Sequence, residues 1–185
     1  MNVSIPEVES VWQEADCLWT AEQVDQAMAQ QAARIQADLG DKNPLVLVVM
    51  RGGLMFGAQL LLKLRFPLEV DYIHVTRYGR GLSGSELQWK VTPTESMENR
   101  HVLILDDILD EGLTLEAIMQ ACESQGAQSV ASAVLVEKLH DRKPNPEFKA
   151  NYTCLDVPDR YVFGYGMDYK GYLRNANGIY AVKGL

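Results

Sequence analysis

The segment His101-Val102-Leu103-Ile104-Leu105-Asp106-Asp107-Ile108-Leu109-Asp110-Glu111-Gly112-Leu113-Thr114 passes from an apolar strand through a run of acids into a helix. Val102–Leu105 predicts a buried strand. Beyond Thr114, Leu115, Ile118, Met119 and Cys122 fall at i, i+3, i+4 and i+7, a helical face that ends near Gly126. Adjacent carboxylates at a strand end repel each other and resist burial, so Asp106 and Asp107 need hydroxyl or metal partners. Gly112 permits a close backbone approach, and the amides of Glu111, Gly112, Leu113 and Thr114 at a helix start cradle an anion. Acids suited to a diol, followed by a phosphate cradle, describe a pocket for a ribose 5-phosphate. A generic acidic pair would read as a solvated turn with Thr as helix cap; the order strand, acids, cradle, helix favours the pocket.

Outward from this segment the same alternation continues. Thr20 with Gln23 reads as a capping box, and Val24, Met28, Ala32, Ile35 and Leu39 share one helical face that Gly40 stops. Leu45–Met50 (LVLVVM) reads as a strand buried on both sides. Arg51-Gly52-Gly53 then turns into a helix with Phe56, Leu60 and Leu64. Val70–Thr76, Ser129–Val136, Tyr152–Val157 and Gly178–Val182 are further strand candidates. Strands alternating with helices predict an α/β fold with a mostly parallel central sheet, whose ligands bind beyond the carboxyl ends of the strands.

The 185 residues suit one continuous domain, and 47% hydrophobic with 23% charged residues excludes disordered and fibrous classes. Seventeen Lys and Arg against 25 Asp and Glu leave a charge of −8, which argues against a broad nucleic-acid surface. The first residues lack the basic start and apolar run of a signal peptide, and Leu45–Met50 is far short of the ~18 residues of a membrane span. Cys17, Cys122 and Cys154 form no CxxC pair, and Cys122 reads as core filler. His74, His101 and His140 are scattered and build no ligand cluster. A cytoplasmic protein with no membrane partner is the expectation.

The acidic segment resembles the phosphoribosyl pyrophosphate-binding motif of the type I phosphoribosyltransferases. Further segments agree in order: Val48–Gly53 (VVMRGG), Thr76-Arg77-Tyr78-Gly79, Val134–Lys138, and Tyr161–Tyr169 with Arg174. Together they cover roughly residues 20–183 and narrow the resemblance to the hypoxanthine-guanine branch of that family. The resemblance implies a central sheet with a small hood subdomain at about 152–183, and a mobile active-site loop at 77–92. It also implies purine salvage. There the 5-phosphoribosyl group of 5-phosphoribosyl 1-pyrophosphate passes to hypoxanthine or guanine, giving IMP or GMP and pyrophosphate, with Mg²⁺ as cofactor.

Carried over residue by residue, the resemblance makes Asp110 the general base at purine N7. Asp106 and Asp107 hold the ribose hydroxyls, directly or through Mg²⁺, and Asp110 to Thr114 take the 5-phosphate side. Arg51 and Gly52 match the pyrophosphate loop, where the entering peptide is often cis, so a cis Met50–Arg51 bond is expected; most relatives carry Lys at the position of Arg51. Arg174 matches a second pyrophosphate ligand. Lys138 matches the donor to the purine 6-oxo group, and Tyr161 the aromatic that stacks on the base. Val162 and Asp168 match carbonyls facing a 2-amino group, with Asp168 a further Mg²⁺ candidate. Arg77, Tyr78 and Arg80 belong to the closing loop. The spelling GxGxxG at Gly79–Gly84 is a decoy, because Leu87, Trp89 and Val91 then alternate as a strand does.

One departure stands out. Glu111 occupies a position where the family usually has Thr, so it is expected to offer only its amide and turn its carboxylate away, or else to pair with a nearby cation. Homodimers or homotetramers are implied by analogy alone, and residues 1–19 match nothing recognisable. Two other functions fit parts of the pattern: preference for xanthine or another base, and a sensor of phosphoribosyl pyrophosphate without turnover. The second would want a basic nucleic-acid surface that a charge of −8 does not offer. The acidic balance is compatible with an anionic substrate if Arg51, Arg174, the helix-start amides and Mg²⁺ make a cationic pocket inside an acidic shell.

Overall fold

A computed structural model describes residues 3–77 and 87–185. In chain order the elements are α1 (Ile5–Glu14), β1 (Asp16–Thr20), α2 (Ala21–Leu39), β2 (Leu45–Met50), α3 (Gly53–Leu61), β3 (Glu69–Arg77) and β4 (Leu87–Val91). There follow β5 (His101–Leu109), α4 (Leu113–Ser124), β6 (Ser129–Leu139), β7 (Tyr152–Pro158), β8 (Val162–Phe163) and β9 (Gly178–Ala181). A six-stranded sheet runs β4-β3-β2-β5-β6-β7, parallel except for β4 at its edge. A three-stranded antiparallel sheet, β1-β9-β8, forms the hood.

The sheet is parallel because helices return the chain over both faces, which is why β2 is apolar at every position. Val46 and Val48, level with Leu103 and Leu105 on β5, join a core with α2 and α3; Leu45, Leu47 and Ile104 join another with α4. The Thr20–Gln23 capping box forms as expected, with bonds of 3.4 and 2.9 Å, and a cap of this kind is worth about 1 kcal/mol. Gln31, fully buried on α2, donates through Nε2 to Val134 O and Tyr152 O and so ties β6 to β7.

Two expectations are corrected. β5 runs on to Leu109 and β6 to Leu139, so Asp106, Asp107 and Lys138 sit within the parallel ladder rather than after it. The hood does not begin at residue 152: β7 belongs to the central sheet, while β1 supplies a hood strand. Residues 3–19, assigned no role from the sequence, contain α1 and most of β1. Ser4 caps α1 by accepting from Glu7 N–H at 3.3 Å, with Pro6 in the first turn. Val8 of α1 is buried with Phe163, Tyr169 and Leu173 under the hood.

Candidate active site

The acids lie where β5 turns toward α4. Gly112 caps that helix in the left-handed region, φ 85°, and a Cβ there would stand 2.9 Å from Phe148 Cδ1. Only glycine meets both conditions cheaply, which leaves the amides of the first turn open. Asp106 through Leu115 line a cavity of about 310 Å³. Within it Asp106 Oδ1 accepts from Asp107 N–H at 2.9 Å. Burial, then the charge of Asp107, pushes the Asp106 carboxyl well above the usual carboxylate range. Burial raises Asp107 as well, against the lowering effects of a hydrogen bond with Asp106 and the charge of Arg174. Two crowded hard-oxygen donors of this kind are poised for a cation or for hydroxyls. Glu111 is exposed and Thr114 lies at the cavity wall.

A second cavity of about 360 Å³ adjoins the first and is lined by Asp107, Ile108, Asp110, Lys138, Tyr161, Val162, Met167 and Asp168. Asp110 Oδ2 accepts from Lys138 Nζ at 2.8 Å, and Oδ1 from His140 Nε2 at 2.7 Å. Burial of the Asp110 carboxyl acts upward, but the hydrogen bonds from Lys138 and His140 and the Lys138 charge outweigh it and hold the group below its ordinary range. Tyr161, 40% exposed, presents its ring to this cavity and meets Tyr169 edge-on at 5.5 Å. A larger groove between α2 and α3, about 960 Å³ and lined by four alanines among polar and charged side chains such as Asp25, Lys63 and Arg65, contains none of these groups.

The Met50–Arg51 peptide is cis, as expected. A Cβ on Gly52 would collide with the Asp107 carboxylate, and one on Gly166 with the Gly52 carbonyl, so the loop after β2 is wedged between β5 and the hood. Arg51 is exposed. Arg174 donates to Gly166 O and pairs with Asp168 Oδ1 at 2.5 Å, while Asp168 Oδ2 accepts from Gly171 N–H at 2.6 Å. Both oxygens of Asp168 are thus engaged inside the hood. Tyr78 and Arg80 lie outside the described residues, and Arg77 ends β3.

The structure brings Asp106 to Thr114, Lys138, Tyr161, Val162 and Asp168 into two adjoining cavities, with Gly52 against Asp107. Sequence reasoning missed His140, read only as a scattered histidine, and the Arg142–Asp159 ion pair beside it. It also missed Glu7 of α1, whose Oε1 accepts from Tyr169 OH at 3.0 Å and Lys170 Nζ at 2.7 Å. The pattern Ser4-x-x-Glu7 was a readable helix start, whereas nothing local marks His140. Among the described residues, no group of three or more His, Cys, Asp or Glu is placed to hold a metal by itself, and no helix is long and apolar enough to cross a membrane.

A nucleotide-sized pocket across the ends of β5 and β6, roofed by a small hood, defines a phosphoribosyl-handling protein, and the family model described as the phosphoribosyl transferase domain matches residues 20–170. A hypoxanthine-guanine phosphoribosyltransferase of Streptococcus pneumoniae is 32% identical over 155 residues, 83% of this chain and 85% of that one. A hypoxanthine phosphoribosyltransferase of Staphylococcus aureus superposes with a TM-score of 0.86 at 30% identity, covering 97% of both chains. A hypoxanthine-guanine-xanthine phosphoribosyltransferase superposes at 0.81 with 28% identity, over 91% of this chain and 96% of that one. The chain belongs to the hypoxanthine-guanine phosphoribosyltransferase family.

Proposed function

We propose that this chain transfers the 5-phosphoribosyl group of 5-phosphoribosyl 1-pyrophosphate to hypoxanthine or guanine, forming IMP or GMP and releasing pyrophosphate. The observation that carries it is the Asp110–Lys138 pair, 2.8 Å apart at the wall of the Tyr161 cavity. It sets an acceptor beside a cationic donor, the complement of the adjacent N7–H and O6 of a 6-oxopurine. Adenine places an amino donor opposite Lys138, leaving two donors face to face.

In this reading Tyr161 stacks on the base, and the Val162 and Asp168 carbonyls face its 2-amino group. Amides of residues 111–114 hold the 5-phosphate, with the Thr114 hydroxyl as a further donor. Arg51, the Gly52 amide and Arg174 take the pyrophosphate, with Arg77 and Tyr78 closing over the site. The transition state carries oxocarbenium character, so positioning and neutralisation of the leaving group do most of the work. Asp110, kept ionised by its partners, accepts the N7 proton as the purine nitrogen attacks the anomeric carbon and pyrophosphate departs.

Asp106 and Asp107 fit Mg²⁺: both are hard donors whose pKa burial raises, and a lone carboxylate pair suits an ion that keeps waters and shares substrate oxygens. Bound there with the donor, Mg²⁺ supplies charge neutralisation to the leaving pyrophosphate. Asp168 would serve as a ligand alongside its bonds to Arg174 and the Gly171 amide, through the second lone pair of either oxygen. The three free cysteines support a reducing, cytoplasmic setting. Self-association as a homodimer or homotetramer is supported by exposed Leu54 and Met55 on α3, Leu62 just past its end, and exposed Val70 and Tyr72 on β3; light scattering at working concentration tests it.

Turnover with hypoxanthine, guanine, xanthine and adenine, each with phosphoribosyl pyrophosphate and Mg²⁺, tests the assignment. Product from hypoxanthine and guanine is expected, and none from adenine. No product from any base sinks it. Xanthine use is the second reading, favoured by the structural likeness to a protein named for all three 6-oxopurines. Asp110→Asn should lose most of kcat and little donor binding.

A further inference from the structure

Resting on that reading, the geometry points to His140 as the positioning residue for Asp110: it fixes the carboxylate plane so that Oδ2 faces the purine beside Lys138. The two donors to Asp110 differ in kind. The Lys138 ammonium sits on a flexible stem and divides its three N–H groups between Asp110 Oδ2 and the purine oxygen. The His140 side chain is 2% exposed and held from its other side, so its bond to Oδ1 is committed.

The ring's tautomer follows from its second contact. His140 Nδ1 lies 3.0 Å from the backbone N–H of Arg142, which only donates, so Nδ1 accepts and Nε2 carries the proton toward Asp110. Arg142 is itself anchored. Its guanidinium grips Asp159 just past β7 through Nη1–Oδ2 at 2.5 Å and Nη2–Oδ1 at 2.7 Å. A chain of contacts thus runs Asp159, Arg142, His140, Asp110, from the edge of the central sheet to the reacting oxygen. With Oδ1 held by His140, Oδ2 is the oxygen beside Lys138, and Asp110 and Lys138 both line the cavity. A carboxylate free to rotate would offer the base either oxygen and lose the acceptor–donor register with Lys138, and misplacement of this order lowers rates by up to about 100-fold.

The test compares His140→Leu, which fills the space without donating, with His140→Gln, which keeps an N–H donor at similar reach. Steady-state kcat and KM for guanine and for phosphoribosyl pyrophosphate are measured for both, and for Asp110→Asn with and without His140→Leu. Expected are a roughly 10–100-fold fall in kcat for His140→Leu with donor KM within twofold, and recovery of most of that loss in His140→Gln. In the Asp110→Asn background His140→Leu should lower kcat no further, because its effect passes through the carboxylate. A kcat for His140→Leu within twofold of the unmodified enzyme overturns the inference. Equal damage in the Leu and Gln variants, or multiplicative losses in the double variant, does the same. Should Asp110→Asn itself keep full kcat, the assignment of Asp110 as base fails, and the inference falls with it; an inactive Asp110→Asn beside an unaffected His140→Leu removes only the inference.

Discussion

Lys138 sits 2.8 Å from Asp110 Oδ2, and in the proposed reaction that ammonium has two tasks. It holds the carboxylate ionised, and it offers the donor that a 6-oxo group needs and an amino group does not. Charge-assisted hydrogen bonds contribute roughly 1.5–3 kcal/mol, a factor of about 10–100. Lys138→Ala is therefore expected to raise the KM for guanine by roughly that factor while leaving the donor KM near its original value. Discrimination against adenine should shrink in parallel. Steady-state kinetics with both bases checks this; an unchanged guanine KM would remove Lys138 from purine recognition. Both residues were candidates through the family resemblance of the segments that hold them. Their contact was not legible, since 28 residues separate them and only the β5–β6 ladder brings them level.

At the scale of elements, α1 contributes contacts that its Ser4-x-x-Glu7 start does not announce. Val8 is buried beneath the hood, and Glu7 binds Tyr169 and Lys170, next to the Tyr161 that stacks on the proposed base. Removing residues 1–14 is expected to raise the guanine KM by about 3–10-fold, through a less ordered Tyr161, with kcat changed less. Faster amide exchange over residues 161–182 should accompany it. If neither moves, α1 is independent of the purine pocket. The longer elements were legible: α2 declares itself by its capping box and five-residue apolar face, and β2 by unbroken hydrophobicity. Two-residue β8 and exposed β1 carry too little pattern, because antiparallel pairing with distant β9 rather than local propensity makes them strands.

For the whole molecule, the Asp106–Asp107 pair sets function against stability. Both carboxyls titrate above their ordinary value of 3.8 in the fold. Between that value and the raised ones the folded chain binds more protons than the unfolded chain, so stability falls as pH rises through this window. At neutral pH the pair is a net cost, which Asp106→Asn relieves. This variant is expected to melt higher than the unmodified chain at pH 7 without donor, to show a smaller difference near pH 4, and to bind phosphoribosyl pyrophosphate with Mg²⁺ far more weakly. Thermal unfolding at the two pH values, with calorimetric binding of the donor, checks all three. A lower melting temperature at pH 7 would show the pair to be stabilising.

The alternating α/β architecture and the strand–acid–cradle–helix order were legible in the amino-acid sequence alone, while family resemblance supplied the rest of the site. That architecture and that order are each written in continuous stretches, as periodicity, capping or a glycine where backbone must come close. The tertiary structure alone decided which groups touch: Gly52 against Asp107, Glu7 under Tyr169, and His140 on Asp110. Those contacts join segments far apart in the chain: the first and last arise because parallel strands place their carboxyl ends side by side, whatever length of chain lies between them, and the second because α1 packs Val8 against Phe163, Tyr169 and Leu173.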